Sequence, residues 1–208
     1  EGAKSPFFSA DGRWVGFYAD GNLEKISVSR GAVVTLCKAP PLYFTGWGGG
    51  SFWGEDDTII FSDDTRGLMR VSADGGEPEP ITDPQDAESH IWPQVLPDGE
   101  SLLFTVFDYN RGASRLSLLS METGESLALL PGSVNPYQAY YLPTGHLVYA
   151  QSGGLWAVPF DLSSREPTGS PVSVLDEVHE STIAVTTPTA HFALAEKGSL
   201  VYVEGRAA

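Results

Sequence analysis

The chain has 208 residues, and 27 acidic side chains against 12 Lys and Arg give it a formal net charge of −15. So few, scattered cations exclude the clustered Lys and Arg that phosphate backbones and anionic lipid surfaces require. A hydrophobic fraction of 41% excludes wholesale disorder, and no apolar run approaches the roughly 18 residues of a membrane-spanning helix.

Taken in chain order, short apolar segments alternate with tight turns. "PFFS" precedes the turn Asp11-Gly12, and "RWVGFYA" follows it, closing on Phe17. "LEKISVS" and "AVVTL" come next, and Cys37 sits at the end of the latter as a half-buried small hydrophobe. The order then repeats. "SFWG", the turn Glu55-Asp56-Asp57, "TIIFS" with Phe61, "LMRVSAD" and "EPITD" make a second unit. "WPQVL", Asp98-Gly99, "LLFTV" with Phe104, "LSLLSME" and "LALL" make a third. "YQAYYL", Thr144-Gly145, "LVYAQ" with Tyr149, "LWAVPFD" and "VSVL" make a fourth. A fifth begins with "HFALA", turns at Lys197-Gly198 and reaches Tyr202 in "LVYVE" before the sequence stops.

The closing aromatics Phe17, Phe61, Phe104, Tyr149 and Tyr202 are separated by 44, 43, 45 and 53 residues. Four strands in each period of that length is the signature of a β-propeller blade. The wider last interval is taken up by "DEVHESTIAVTTPTA", read as a longer connection. The predicted fold is all-β: a propeller of four complete four-stranded blades plus a two-stranded partial fifth. It forms one domain over residues 1–208, with units at about 5–49, 50–90, 91–135, 136–190 and 191–204. Glu1 in place of an initiator methionine points to a fragment or processed product. The edge left open by the short fifth unit offers a route to self-association.

Pro6, Phe8, Ser9, Asp11, Gly12 and Phe17 in the first unit, and Pro93, Pro97, Asp98, Gly99 and Phe104 in the third, resemble the WD-repeat-like, PD-type blade of the TolB-like propellers. Ala10 stands where that blade usually has a proline, and the other units match only in strand order and closing aromatic. The phrases Gly75 to Thr82 and His90 to Pro97 are most similar to the propeller region of bacterial receptor-like serine/threonine kinases. That resemblance implies a sensing or protein-binding module on the periplasmic or other extracytoplasmic side of a membrane.

In a propeller, ligands meet the face built by the connections between strands two and three and between successive blades. Those connections carry aromatic and polar side chains together: Tyr43 and Trp47 in "CKAPPLYFTGWGGG", Arg66 in "SDDTRG", Glu88, His90 and Trp92 around "DAESHIW", and Tyr109 and Arg111 in "FDYNRG". Such a mixture suits a protein, peptide or small-molecule ligand. The alternative is that the aromatics plug the channel and cover sheet edges. No nucleic acid, membrane insertion, cofactor or metal is expected. His90, His146, His179 and His191 fall apart in sequence, without the short spacing of zinc ligands. Calcium on Asp56, Asp57, Asp63 or Asp64 would lack the twelve-residue loop that organises such sites. The predicted first strands hold no carboxylates for glycoside hydrolysis, and neither a nucleophile elbow nor a kinase catalytic loop is present. The expectation is therefore a non-catalytic binding or scaffold module rather than an enzyme. The alternative is a hydrolase or lyase using loop carboxylates of "DAESH" and "FDYNR" at the channel mouth.

Overall fold

The computed structural model describes residues 2–29, 31–39, 49–133, 135–181, 189–195 and 199–205. They divide between Val95 and Leu96 into two compact units. Among the described residues there is no helix, and none that could cross a membrane.

The first unit contains β1 (Lys4–Phe8), β2 (Trp14–Ala19), β3 (Asn22–Ser27), β4 (Val34–Lys38), β5 (Ser51–Trp53), β6 (Thr58–Asp63), β7 (Gly67–Ser72), β8 (Glu79–Pro80) and β9 (Glu88–Val95). The first eight form two four-stranded antiparallel sheets in simple sequence order, β1-β2-β3-β4 and β5-β6-β7-β8. The second unit contains β10 (Ser101–Asp108), β11 (Ala113–Ser120), β12 (Ser126–Leu129), β13 (Tyr137–Leu142), β14 (His146–Gln151), β15 (Gly154–Asp161), β16 (Glu166–Pro167), β17 (Val172–Leu175), β18 (Glu180–Ser181), β19 (Thr189–Ala190), β20 (Phe192–Leu194) and β21 (Leu200–Tyr202). Here β10 pairs with β11 and β11 with β12, β13-β14-β15 run in order, and both β16 and β17 pair with β15. The segment read from sequence as a plain connection contains the antiparallel pair β18-β19, and β20-β21 follow as another pair.

The turn chemistry recurs from unit to unit. Asp11 Oδ1 accepts from the Arg13 N–H at 2.9 Å, Asp56 Oδ1 from the Thr58 N–H at 3.0 Å, and Asp98 Oδ1 from the Glu100 and Ser101 N–H groups at 3.0 and 2.9 Å. Each carboxylate ties down the turn that launches the next strand. Gly12, Gly99 and Gly145 follow at the corresponding place with φ of 68°, 69° and 74°. A residue without Cβ takes that left-handed position at no steric cost.

Strands β6 and β10 are buried on nearly every residue, β10 on all eight. Both faces of these strands are therefore covered, which suits the second strand of a sheet stacked between others. Phe61, Phe104 and Tyr149, three of the five periodic aromatics, are at most 2% exposed. Phe17 is half-buried and Tyr202 exposed. In the first unit the core joins Leu23, Leu36 and Cys37 to Trp53, Ile59, Phe61, Met69 and Val71. In the second it joins Leu103, Leu116 and Leu129 to Leu147, Tyr149, Val158 and Phe160.

Candidate functional site

Four of the described candidate side chains lie in the first unit, and three of these share strand β9. Glu88, His90 and Trp92 are spaced two apart, so alternation along a strand would set them on one face. At Trp92, however, φ is +51°. The left-handed residue kinks the strand and sends the Trp92 ring against Gly50, while the Trp92 N–H donates to Gly49 O. Trp92 is 7% exposed and packs as a wall. Positive φ recurs within β1, β9 and β13 and just before β5, at Ser5, Trp92, Gln138 and Gly50. No residue preference marks these positions, and the sequence reading missed them.

Glu88 and His90 remain together. The His90 side chain is 9% exposed and that of Glu88 11%, with His90 Nε2 3.9 Å from a Glu88 carboxylate oxygen. On its other side, His90 Nδ1 lies 2.7 Å from the Thr82 hydroxyl, and that oxygen accepts the Leu68 N–H at 2.9 Å. A donating Thr82 hydroxyl puts the imidazole proton on Nε2, the nitrogen facing Glu88. Thr82 enters this arrangement through the structure alone. Its place is secured by Gly67, where a methyl group would come within 2.6 Å of Thr82 Oγ1.

The two arginines do something else. Asp63 Oδ1 accepts from the Thr65 N–H, the Thr65 hydroxyl and the Arg66 N–H, while Oδ2 accepts from Arg66 Nε and Nη2 at 3.0 and 2.8 Å. The Asp63 side chain is 1% exposed. Burial alone would raise its pKa, but the Arg66 guanidinium and the Thr65 donors overcome that and hold the carboxyl below its ordinary value. In the second unit the same motif returns: Asp108 accepts from the Arg111 N–H at 3.0 Å and from Arg111 Nη1 at 2.7 Å. Asp-x-x-Arg-Gly thus closes two turns by the same device, with Arg66 and Arg111 bracing their own loops. Tyr109 packs edge-on against Phe107 with ring centres 5.0 Å apart. Tyr43 and Trp47 lie outside the described residues.

Three of the acids weighed for calcium, Asp56, Asp57 and Asp63, are engaged by groups close by in the chain. Asp56 bonds the Thr58 N–H and hydroxyl, and Asp57 Oδ1 accepts from the Trp53 indole N–H at 3.3 Å. Among the described residues no group of three or more His, Cys, Asp or Glu side chains is gathered to hold a metal.

No protein-family model matches the chain, and no curated protein sequence matches it. Solved structures do. Regucalcin of Agrobacterium tumefaciens, a calcium-binding protein, superposes with a TM-score of 0.66 at 15% identity over 98% of this chain and 67% of its own. TolB of Acinetobacter baumannii gives 0.58 at 16% identity over 82% of this chain and 44% of its own. A puromycin-hydrolyzing peptidase of Mycobacterium tuberculosis gives 0.62 at 18% identity over 83% of this chain and 30% of its own. The chain therefore spans about two thirds of the first and less than half of the others. At these identities the likeness speaks to fold, and it supports a β-propeller. The expectation that the chain is not an enzyme is corrected by the same finding. Its fold is shared with a peptidase, so the lack of a recognisable catalytic motif does not exclude catalysis.

Proposed function

We propose that this chain is the ligand-binding propeller portion of a larger bacterial protein, with a site built on Thr82, His90 and Glu88. The observation that carries the reading is the Glu88–His90 contact, two titratable side chains almost removed from water on one strand. Burying a carboxylate and an imidazole is costly unless each is paired and hydrogen-bonded. The Glu88 carboxylate and the net charge favour a ligand that presents hydrogen-bond donors or positive charge, from a small polar molecule to a peptide side chain. The sequence units are read as four complete blades and a two-stranded partial fifth in one domain, displayed outside the cytoplasm. Within this reading the open edge of the fifth blade is a route to self-association, which sedimentation across a range of concentrations tests.

A second reading has the same footing: a hydrolase or lyase in which Glu88 and His90 pass a proton to or from the substrate. The closeness of His90 Nε2 to the Glu88 carboxylate favours it, because a general acid–base group works best with an oriented partner.

One experiment serves both. The unfolding midpoint is followed against panels of peptides, glycans and amines for the wild type, His90→Gln and Glu88→Gln. A ligand at a hundred times its dissociation constant adds about 2.7 kcal/mol, a rise of about 5 to 10 °C for a chain of this size. A rise that both variants abolish supports the binding site. Turnover of the same ligand, lost in the variants while binding persists, supports the enzyme. A rise that neither variant diminishes removes this site from both readings.

A further inference from the structure

His179 and His191 are twelve residues apart in sequence and adjacent in the second unit. The antiparallel register pairs Glu180 with Ala190 and Ser181 with Thr189, which sets His179 directly opposite His191. Backbone bonds lock the place. The His191 N–H donates to His179 O at 2.9 Å, the His179 N–H to Val203 O at 2.8 Å, and the Val203 N–H to His191 O at 2.9 Å. Three chain segments thus close a ring of hydrogen bonds beneath the two imidazoles. The intervening Glu180 accepts from the Tyr137 hydroxyl and, at 2.9 Å, from the Gly153 N–H, which anchors β18 from the other side.

The rings meet edge to face, with centres 5.0 Å apart and planes at 61°. Two imidazoles that share one metal ion, each with a nitrogen about 2.0–2.1 Å from it, keep their ring centres about 5 Å apart at a near-tetrahedral angle. The observed separation matches that spacing, and rotation of the rings about their side-chain bonds would turn a nitrogen of each toward a shared ion. The Ser181 hydroxyl lies 2.7 Å from His191 Nε2, the kind of outer partner that fixes a ligating histidine's tautomer and leaves Nδ1 to the metal. On the other ring, Nδ1 of His179 faces Gly205, where even an added Cβ would stand 3.7 Å away. His191 is exposed and His179 half-buried, so an ion can reach them.

We infer that His179 and His191 form a two-imidazole chelate for a late first-row divalent cation such as Zn²⁺ or Ni²⁺, oriented by Ser181 and completed by water. Imidazole pairs select these metals over calcium and magnesium, which take oxygen ligands. The site does not rest on the function proposed for Glu88 and His90.

The test is calorimetric titration of the 208-residue protein with zinc chloride and nickel chloride at pH 7.5. One equivalent should bind, His179→Gln or His191→Gln should each weaken binding at least ~10-fold, and Ser181→Ala should weaken it ~10-fold through the loss of orientation. His146→Gln should leave it unchanged. Histidine ring NMR of the wild type needs no variant: zinc should shift the His179 and His191 resonances together while those of His90 and His146 stay. Unchanged binding in either His179→Gln or His191→Gln, or a shift centred on His90 or His146, overturns the inference.

Discussion

Gly67→Ala probes whether the left-handed turn after β6 holds the candidate site in place. Gly67 has φ of +79°, and a methyl group there would lie 2.6 Å from Thr82 Oγ1, 2.8 Å from Pro84 Cδ and 3.1 Å from Thr82 O. Holding alanine in the left-handed region costs about 1–2 kcal/mol. Relieving the clash moves Thr82, whose hydroxyl accepts the Leu68 N–H. Leu68 is fully buried, so an unpaired N–H there adds about 1–3 kcal/mol. The sum is about 3 kcal/mol, a midpoint lowered by about 6–12 °C for a chain of this length. The comparison is Gly12→Ala, at φ +68° with no atom within 4 Å of the new methyl, which carries the backbone cost alone. Urea denaturation at pH 7 should place Gly67→Ala clearly below Gly12→Ala. Equal losses within about 0.5 kcal/mol, the scatter expected of surface changes, would refute the crowding at Thr82.

Two further outcomes follow from the buried groups. The Asp63 carboxyl has a folded-state pKa below its unfolded value of about 3.9, so its contribution is present above that pH and lost as pH falls through the folded pKa. Asp63→Asn should therefore cost about 1.5–3 kcal/mol near neutrality, with the gap to wild type closing in acid titrations as the pH falls below the unfolded value and through the lowered folded one; a gap independent of pH would rule out the ionic bond to Arg66. Burial pushes the Cys37 thiol up to about 11, and the residue is 7% exposed. Iodoacetamide at pH 8 should label it slowly in the native protein and at least ~10-fold faster in denaturant, since the thiolate is the nucleophile. Equal rates would place the thiol in water.

The strands and their turns were legible in the sequence because their causes are local. Asp11, Asp56 and Asp98 bond donors two or three residues away, Gly12, Gly99 and Gly145 supply the left-handed step, and apolar runs such as "LLFTV" are buried whatever covers them. The small β18-β19 pair was not legible, since two-residue strands leave no periodic trace. The site was legible only in part. Residue type singled out Glu88 and His90, which the structure brings together, and Arg66 and Arg111, each of which is bonded to an aspartate three residues earlier. Local partners of that kind are visible in the spacing Asp-x-x-Arg-Gly once the turn conformation is known. Thr82 beside His90 and His191 opposite His179 carry no such trace.

Composition, turn residues and a 43-to-45-residue period of aromatics were enough for an all-β repeat, because burial and turn formation depend on neighbours in the chain. Which titratable side chains meet was decided by strand register and by left-handed residues such as Trp92. Register sums many backbone bonds over distant segments, and it turns a separation of twelve residues between His179 and His191 into a contact of 5.0 Å.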